Sequence, residues 1–261
     1  MHLNSCFSIG VLAMAVCFAT AATRAEDRQP QGVAPKVEKP LLIAPRPENG
    51  RNSEGDFIPL KDGRLLLVYT KFLGTGDHAP AELVARYSSD GGKTWGRDDV
   101  QVISRKPGEA NLMSVSLLRL QDDRIALFYV QKYESPPESK YSHLDYILMR
   151  TSTDEGATWS EPTYVVPKEE PGYRVLNNDR VIQLTTGRLV VPVAVHYLPG
   201  WPKWQDSAQI LCYLSDDQGR TWRPGKSTLE TGLLAQEPGV VELQDHRLMM
   251  FCRSRDCQLV S

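Results

Sequence analysis

The sequence predicts an all-β chain built from repeated sheet units, and three observations carry that expectation. First, an octet recurs: S-S-D-G-G-K-T-W from Ser88, S-T-D-E-G-A-T-W from Ser152 and S-D-D-Q-G-R-T-W from Ser215. Second, another pattern alternates with it. This reads L-K-D-G-R-L-L-L-V-Y from Leu60, L-Q-D-D-R-I-A-L-F-Y from Leu120, L-T-T-G-R-L-V-V-P-V from Leu184 and L-Q-D-H-R-L-M-M-F-C from Leu243. Third, nothing beyond the first 25 residues sustains a 3.6-residue apolar period, while 18 Pro and 19 Gly punctuate the chain. Trp95, Trp159 and Trp222 are spaced by 64 and 63 residues; Arg64, Arg124, Arg188 and Arg247 step by 60, 64 and 59. Two independent patterns that share one period mark a structural repeat.

In chain order, Phe7 to Ala22 forms an apolar run followed by small residues at Ala19, Ala21, Ala22 and Ala25. That pattern predicts a signal peptide over residues 1–25, although no Lys or Arg precedes the run. At about 16 residues it is too short for a membrane span, and bulky Val16 before Cys17 argues against a lipoprotein anchor. The expected location is therefore secreted or periplasmic. Residues 26–40 read as a linker and 41–261 as the repeat region. A net charge of -2 supplies no basic footprint for nucleic acid, and 41% apolar residues suffice for a core. Cys212, Cys252 and Cys257 form no disulfide framework, and no His or Cys spacing suits a metal, so no cofactor is expected.

The second pattern is a hairpin: a polar turn with Asp and Gly leads into an apolar, β-branched strand. Phe57 to Leu60, Met113 to Leu120 and Val240 to Leu243 supply the strand before the turn. In the octet, Ser, Asp and Thr can satisfy backbone N–H groups of a turn, Gly can take positive φ, and Trp can pack into the blade. Units of about 60 residues and four strands are the size of propeller blades. Three complete units and a fourth begun at Leu243 make about three and a half blades; six would need roughly 350 residues or more.

The repeat also aligns candidate channel positions. Ten residues before each turn Arg stand Glu54, Ser114, Asn178 and Glu237; eight before it stand Asp56, Ser116, Arg180 and Gly239. These read as a polar ring at the channel mouth or, alternatively, as turn chemistry. Trp201 and Trp204, in H-Y-L-P-G-W-P-K-W-Q, could stack on sugar faces or pin their own loop.

The octet S-x-D-x-G-x-T-W resembles the Asp-box, or bacterial neuraminidase repeat, of the sialidase superfamily. The resemblance implies a six-bladed β-propeller over roughly residues 41–255. It also implies an exported glycoside hydrolase acting on terminal sugars of glycans, exo-α-sialidase-like, with a glycoconjugate as partner. E-P-G-V-V-E-L-Q-D-H-R-L-M-M-F-C-R resembles the sialidase segment with a catalytic Glu and a substrate-binding Arg. That match makes Glu237 the acidic partner of a Tyr nucleophile and Arg253 a carboxylate binder.

Elsewhere the pattern departs from the family. In R-N-S-E-G-D-F-I-P-L, Glu54 or Gly55 stands at the Arg of the family's Phe-Arg-Ile-Pro motif, with Arg51 three or four residues early. N-L-M-S-V-S-L-L offers Asn111 and Ser114 where the acid/base Asp is sought. Asp179 and Arg180, with Glu54 and Asp56, therefore point to a hydrolase of altered specificity. The rival expectation is a non-catalytic glycan- or protein-binding propeller, or an inactive remnant.

Overall fold

The computed structural model describes residues 41–134, 143–229, 233–255 and 258–260, so the anticipated leader and linker lie outside it, as does Cys257. The described residues contain sixteen strands and no helix, and no helix long and apolar enough to cross a membrane.

Four antiparallel sheets follow one another along the chain. Sheet 1 holds β1 (Arg51–Pro59), β2 (Leu65–Phe72), β3 (Ala81–Ser88) and β4 (Val100–Ile103) in that order. Sheet 2 repeats it with β5 (Glu109–Arg119), β6 (Ile125–Glu134), β7 (His143–Ser152) and β8 (Thr163–Tyr164). In sheet 3, β9 (Tyr173–Val175) and β10 (Ile182–Gln183) both pair β11 (Leu189–Tyr197), followed by β12 (Gln209–Ser215) and β13 (Arg223–Pro224). Sheet 4 holds β14 (Gln236–Glu242), β15 (Leu248–Arg253) and β16 (Gln258–Val260).

The hairpin reading holds at every copy. Leu60, Leu120, Leu184 and Leu243 each donate their N–H to the carbonyl of the turn Arg, at 2.8 to 2.9 Å. In three copies the turn Asp clasps that Arg two residues on: Arg64 Nε to Asp62 at 2.7 Å, Arg124 Nε to Asp122 at 2.9 Å and Arg247 Nε to Asp245 at 2.7 Å. The third copy has Thr instead of Asp, and Arg188 pairs with Asp216 of its own octet.

The octets are turns held by their own side chains. Gly92, Gly156 and Gly219 N–H donate to the hydroxyls of Ser88, Ser152 and Ser215 at 2.8 to 2.9 Å. Thr94, Thr158 and Thr221 donate through both N–H and hydroxyl to the two oxygens of Asp90, Asp154 and Asp217. These hydrogen bonds, led by that from the Thr hydroxyl, hold each Asp carboxyl down at about 2.

The octets also reach beyond their own blades. Trp222 of sheet 3 meets Phe128 of sheet 2 edge-on, with centroids 6.0 Å apart. A Cβ on Gly156 in sheet 2 would sit 2.7 Å from Leu66 in sheet 1. The octets of sheets 2 and 3 therefore pack onto the preceding sheet, which a single repeat unit cannot reveal.

The core fills the gaps between successive sheets. Val68, Leu117, Leu127 and Tyr129 pack between sheets 1 and 2; Phe128, Met149, Val181 and Val191 between 2 and 3; Ala194, Ile210 and Cys252 between 3 and 4. Each large buried side chain contributes about 1.5–3 kcal/mol of transfer free energy. Among the described residues, the two end faces of the array are less buried than the faces between sheets. Phe57 on sheet 1 is 60% exposed, whereas its counterpart Leu117 on sheet 2 is 7% exposed. Phe251 on sheet 4 is half-buried, whereas Phe128, its counterpart, is fully buried.

Candidate functional site

The first strand of each sheet is interrupted at the same point, and the interruption creates the site. Register slips between Ser53 and Asp56 in β1, Met113 and Ser116 in β5, and Gln236 and Gly239 in β14. At each bulge one non-glycine residue takes positive φ: Glu54 at 55°, Ser114 at 63° and Glu237 at 49°. Such left-handed residues are costly and recur beside functional sites, where a bulge re-aims a side chain. Gly55 follows Glu54 because a Cβ there would meet Val68 and Tyr69 at 2.8 to 2.9 Å.

Sheet 3 breaks the alignment. Between β9 and β10, six residues, Leu176–Val181, stand opposite three, Val191–Val193, whereas the other bulges set two residues against one. Positive φ falls on Asp179, at 53°, rather than on Asn178, to which counting from Arg188 pointed. Asp179 is exposed and its N–H donates to the Val115 carbonyl.

A cavity of about 160 Å³ lies at this end of the sheets, lined by Glu54, Asp77, Ser114, Lys132, Tyr173 and Glu237 among others. Of the sequence-predicted residues, Glu54, Ser114 and Glu237 line it directly. Arg51 reaches its edge, with Nη1 2.7 Å from Asp77 and Nη2 3.5 Å from Glu54, and its guanidinium 3.9 Å above the Phe72 ring. Arg253 donates to Glu237 at 2.7 Å.

Several predicted residues lie elsewhere. Asp56 is buried and ties sheets together, accepting the Leu117 N–H at 2.7 Å; burial pushes its carboxyl up to about 6. Ser116 does the same one sheet later, accepting the Arg180 N–H at 3.0 Å. Asp56 and Ser116, eight before their turn Arg, are thus inter-sheet ties and not cavity lining. Arg180 lays its guanidinium over Phe251 at 5.2 Å, and Asn178 is half-buried outside the lining. Trp201 packs against the core, while Trp204 stacks on His196 with centroids 4.9 Å apart.

Asp77, Lys132 and Tyr173 are lining residues that the sequence reading did not single out. Asp77 sits on the β2–β3 loop, L-G-T-G-D-H, which Asn111 holds by donating to the Asp77 and Ala79 carbonyls at 2.8 and 3.1 Å. Lys132 interrupts the apolar strand β6, a visible signal, and donates to the Tyr173 hydroxyl at 3.3 Å and the Asp77 carbonyl at 3.4 Å. Tyr173 begins β9 and carries no sequence signal.

Electrostatics separates the carboxylates. Burial raises Glu54 above its ordinary value despite Arg51 beside it, and the Ser114 hydroxyl donates to it at 3.3 Å. Asp77, chiefly through its hydrogen bond from Arg51, is held below the usual range. Beneath the cavity, Asp145 is fully buried and pushed up to about 7 by that burial, although it accepts the Arg174 N–H at 2.8 Å. Burial lowers Lys132 and raises the Tyr173 phenol, so Tyr173 stays protonated. Among the described residues, no three His, Cys, Asp or Glu gather as a metal would require.

Residues 98–261 match the family model of the BNR repeat-like domain. The chain belongs to that family, within the sialidase superfamily. This BNR repeat-like chain is 30% identical over 226 residues to a sialidase of Micromonospora viridifaciens, covering 78% of the chain and 31% of the sialidase. It therefore spans about a third of that curated relative's length.

Solved structures show the same propeller fold. A protein of unknown function from Dyadobacter fermentans matches with a TM-score of 0.65 at 21% identity, covering 83% of this chain and 65% of its own. A leech intramolecular trans-sialidase matches at 0.63 and 16%, covering 85% and 50%. Trypanosoma rangeli sialidase matches at 0.61 and 16%, covering 81% and 36%.

Proposed function

We propose that this chain forms part of an exported, six-bladed, sialidase-like glycoside hydrolase that removes a terminal sugar from glycans. The observation that carries the reading is the split between two carboxyl groups lining one cavity: Glu54 raised by burial, Asp77 lowered by Arg51. Two acids pushed in opposite directions are the pattern that glycoside hydrolysis uses. Glu54 gives its proton to the glycosidic oxygen as the C–O bond breaks, and the leaving group departs as an alcohol. Asp77, ionised, stabilises the positive charge that develops on the sugar ring. Water then adds its oxygen to the anomeric carbon and returns a proton to Glu54. Glu237, paired with Arg253, supplies a further carboxylate to the same cavity. Tyr173, kept protonated, acts as a hydrogen-bond donor and not as the nucleophile.

The six-blade count is supported by the exposed Phe57 on the outer face of sheet 1, which a further sheet would bury. Export is supported by the apolar run Phe7 to Ala22. A non-catalytic, glycan-binding propeller has one observation in its favour: Arg51 and Arg253 already neutralise the cavity acids. A panel of fluorogenic sialosides and neutral glycosides decides between them. The hydrolase reading requires turnover of at least one substrate by the full chain, lost in Glu54→Gln and reduced in Glu237→Gln. Absence of turnover across the panel, with glycan binding retained, favours the binding module.

A further inference from the structure

Sheet 1 carries a second polar cavity, which shares no lining residue with the one around Glu54. In β2 and β3, Val68, Leu83 and Ala85 pack towards sheet 2. Side chains alternate along a strand, so Lys71 and Arg86 project from the opposite face. The segment before β1 crosses that face, tied down where Asn52 donates to the Ile43 carbonyl at 3.1 Å. Between segment and sheet lies a cavity of about 160 Å³, lined by Ile43, Arg46, Lys71, Arg86 and Asp99 among others.

The cations of this cavity hold more donors than the fold uses. Asp99 accepts the Tyr69 hydroxyl at 2.6 Å and Arg86 Nε at 2.9 Å on one oxygen, and Lys71 Nζ at 3.0 Å on the other. Burial alone would raise its carboxyl, but those hydrogen bonds outweigh it and hold Asp99 below the usual range. Arg86 is buried, yet among the described residues neither of its Nη groups has a hydrogen-bond partner, and both open onto accessible space. Arg150, at the equivalent place two residues before the next octet, is used more fully. Its Nε donates to the Tyr129 hydroxyl at 3.1 Å and its Nη1 to the Ser160 carbonyl at 2.6 Å. The same repeat position is thus tied to the chain in sheet 2 and left open in sheet 1.

Free donors of this kind fit an oxyanion. Nη1 and Nη2 of one guanidinium form a fork that binds two oxygens of a phosphate or sulfate side by side. Lys71 spends only one of its ammonium donors, on Asp99, and exposed Arg46 adds a third positive charge to the lining. Two carboxylates oppose these cations: Asp99, already bonded to its three donors, and Glu48, which is exposed. The cavity has the volume of about five liquid waters, room for one tetrahedral oxyanion and little else.

We propose that Arg86, Lys71 and Arg46 bind one tetrahedral oxyanion, a phosphate or sulfate group, either free or as a monoester. The site stands apart from the hydrolase reading, so the two fail separately. Isothermal titration calorimetry on the full chain tests it at neutral pH, with sodium chloride holding the ionic strength constant. Inorganic phosphate, sulfate and methyl phosphate are the ligands, and a thermal melt confirms that each variant is folded.

Saturable binding of phosphate or sulfate is expected. Arg86→Gln should weaken it about tenfold and Arg46→Gln about threefold. Arg86→Lys, which keeps the charge and loses the fork, should fall between Arg86→Gln and wild type. Arg46 is exposed, so its variant reads the site even if Arg86→Gln fails to fold. Methyl phosphate binding as tightly as phosphate or more so assigns the site to an ester; weaker binding assigns it to the free anion. Absence of heat beyond dilution for all three ligands overturns the proposal. So does binding unchanged in both Arg46→Gln and a folded Arg86→Gln.

Discussion

The octet turns and the inner-strand bulges are both repeated, but they repeat different things. In the octets the side chains recur: three copies carry the same Ser, Asp, Gly, Thr and Trp, and make the same hydrogen bonds. In the bulges the backbone recurs while the side chain changes, with Glu54, Ser114, Asp179 and Glu237 all at positive φ. An octet's Ser, Asp and Thr side chains hold the turn, so replacing one removes hydrogen bonds from it. A bulge is made by its backbone and neighbours, so the side chain it carries is available for another purpose. The octets hold turns and pack sheets together, and the bulges of sheets 1, 2 and 4 present their side chains to the cavity.

Mutations can sharpen that contrast. The largest effect is expected at Glu54→Gln, which should lower kcat about 10²–10⁴-fold while shifting the melting temperature by less than about 2 °C. In the octets the effects should invert. Ser152→Ala leaves the Gly156 N–H unpaired beside a buried position and should cost about 1–3 kcal/mol in a urea melt. Its kcat, measured on the folded fraction, should stay within about twofold of wild type. A stability loss at Glu54→Gln equal to that at Ser152→Ala would erase the distinction.

Glu54→Gly probes the strain itself. Glycine relaxes the positive φ and removes a buried carboxyl, so the variant should gain about 1 kcal/mol and lose turnover. A destabilised, active variant would show that the bulge is held by Glu54 instead of imposed on it.

The smallest effects concern pH and stability. The octet carboxyls, lowered to about 2, contribute stability that is present above about 4 and lost as pH falls towards 2. Asp56 and Asp145, raised to about 6 and about 7, bind protons in the folded state. Their contribution runs the other way, and stability declines as pH rises from about 4 through 6 and 7. Thermal melts should therefore peak mildly acidic, near pH 4–5. In Asp145→Asn the decline between pH 5 and 7 should flatten, and an unchanged slope there would remove Asp145 from the account.

What the sequence disclosed follows the same division. The period, the hairpins and the octet turns were legible because each depends on local side-chain chemistry that recurs in register. The bulge positions were legible in sheets 1, 2 and 4, where two residues oppose one. In sheet 3 the inner strand is interrupted by a longer segment, so counting back from Arg188 landed on Asn178, one residue short of the bend. Asp56 and Ser116 looked like channel polarity because the inter-sheet N–H groups they satisfy belong to another unit. Asp77, on the β2–β3 loop, and Tyr173, at the start of β9, fall outside both repeated patterns, and only the folded array brings them to Glu54.

The central claim is that burial raises Glu54 while Arg51 lowers Asp77 across one cavity. The pH dependence of kcat/KM on the best substrate tests it most directly. The predicted profile is a bell whose alkaline limb, where activity falls as Glu54 loses its proton, lies above the ordinary glutamate range and disappears in the residual activity of Glu54→Gln. Its acid limb, set by Asp77, should move to higher pH when Arg51→Met removes the guanidinium. An alkaline limb that persists unchanged in Glu54→Gln would contradict the account.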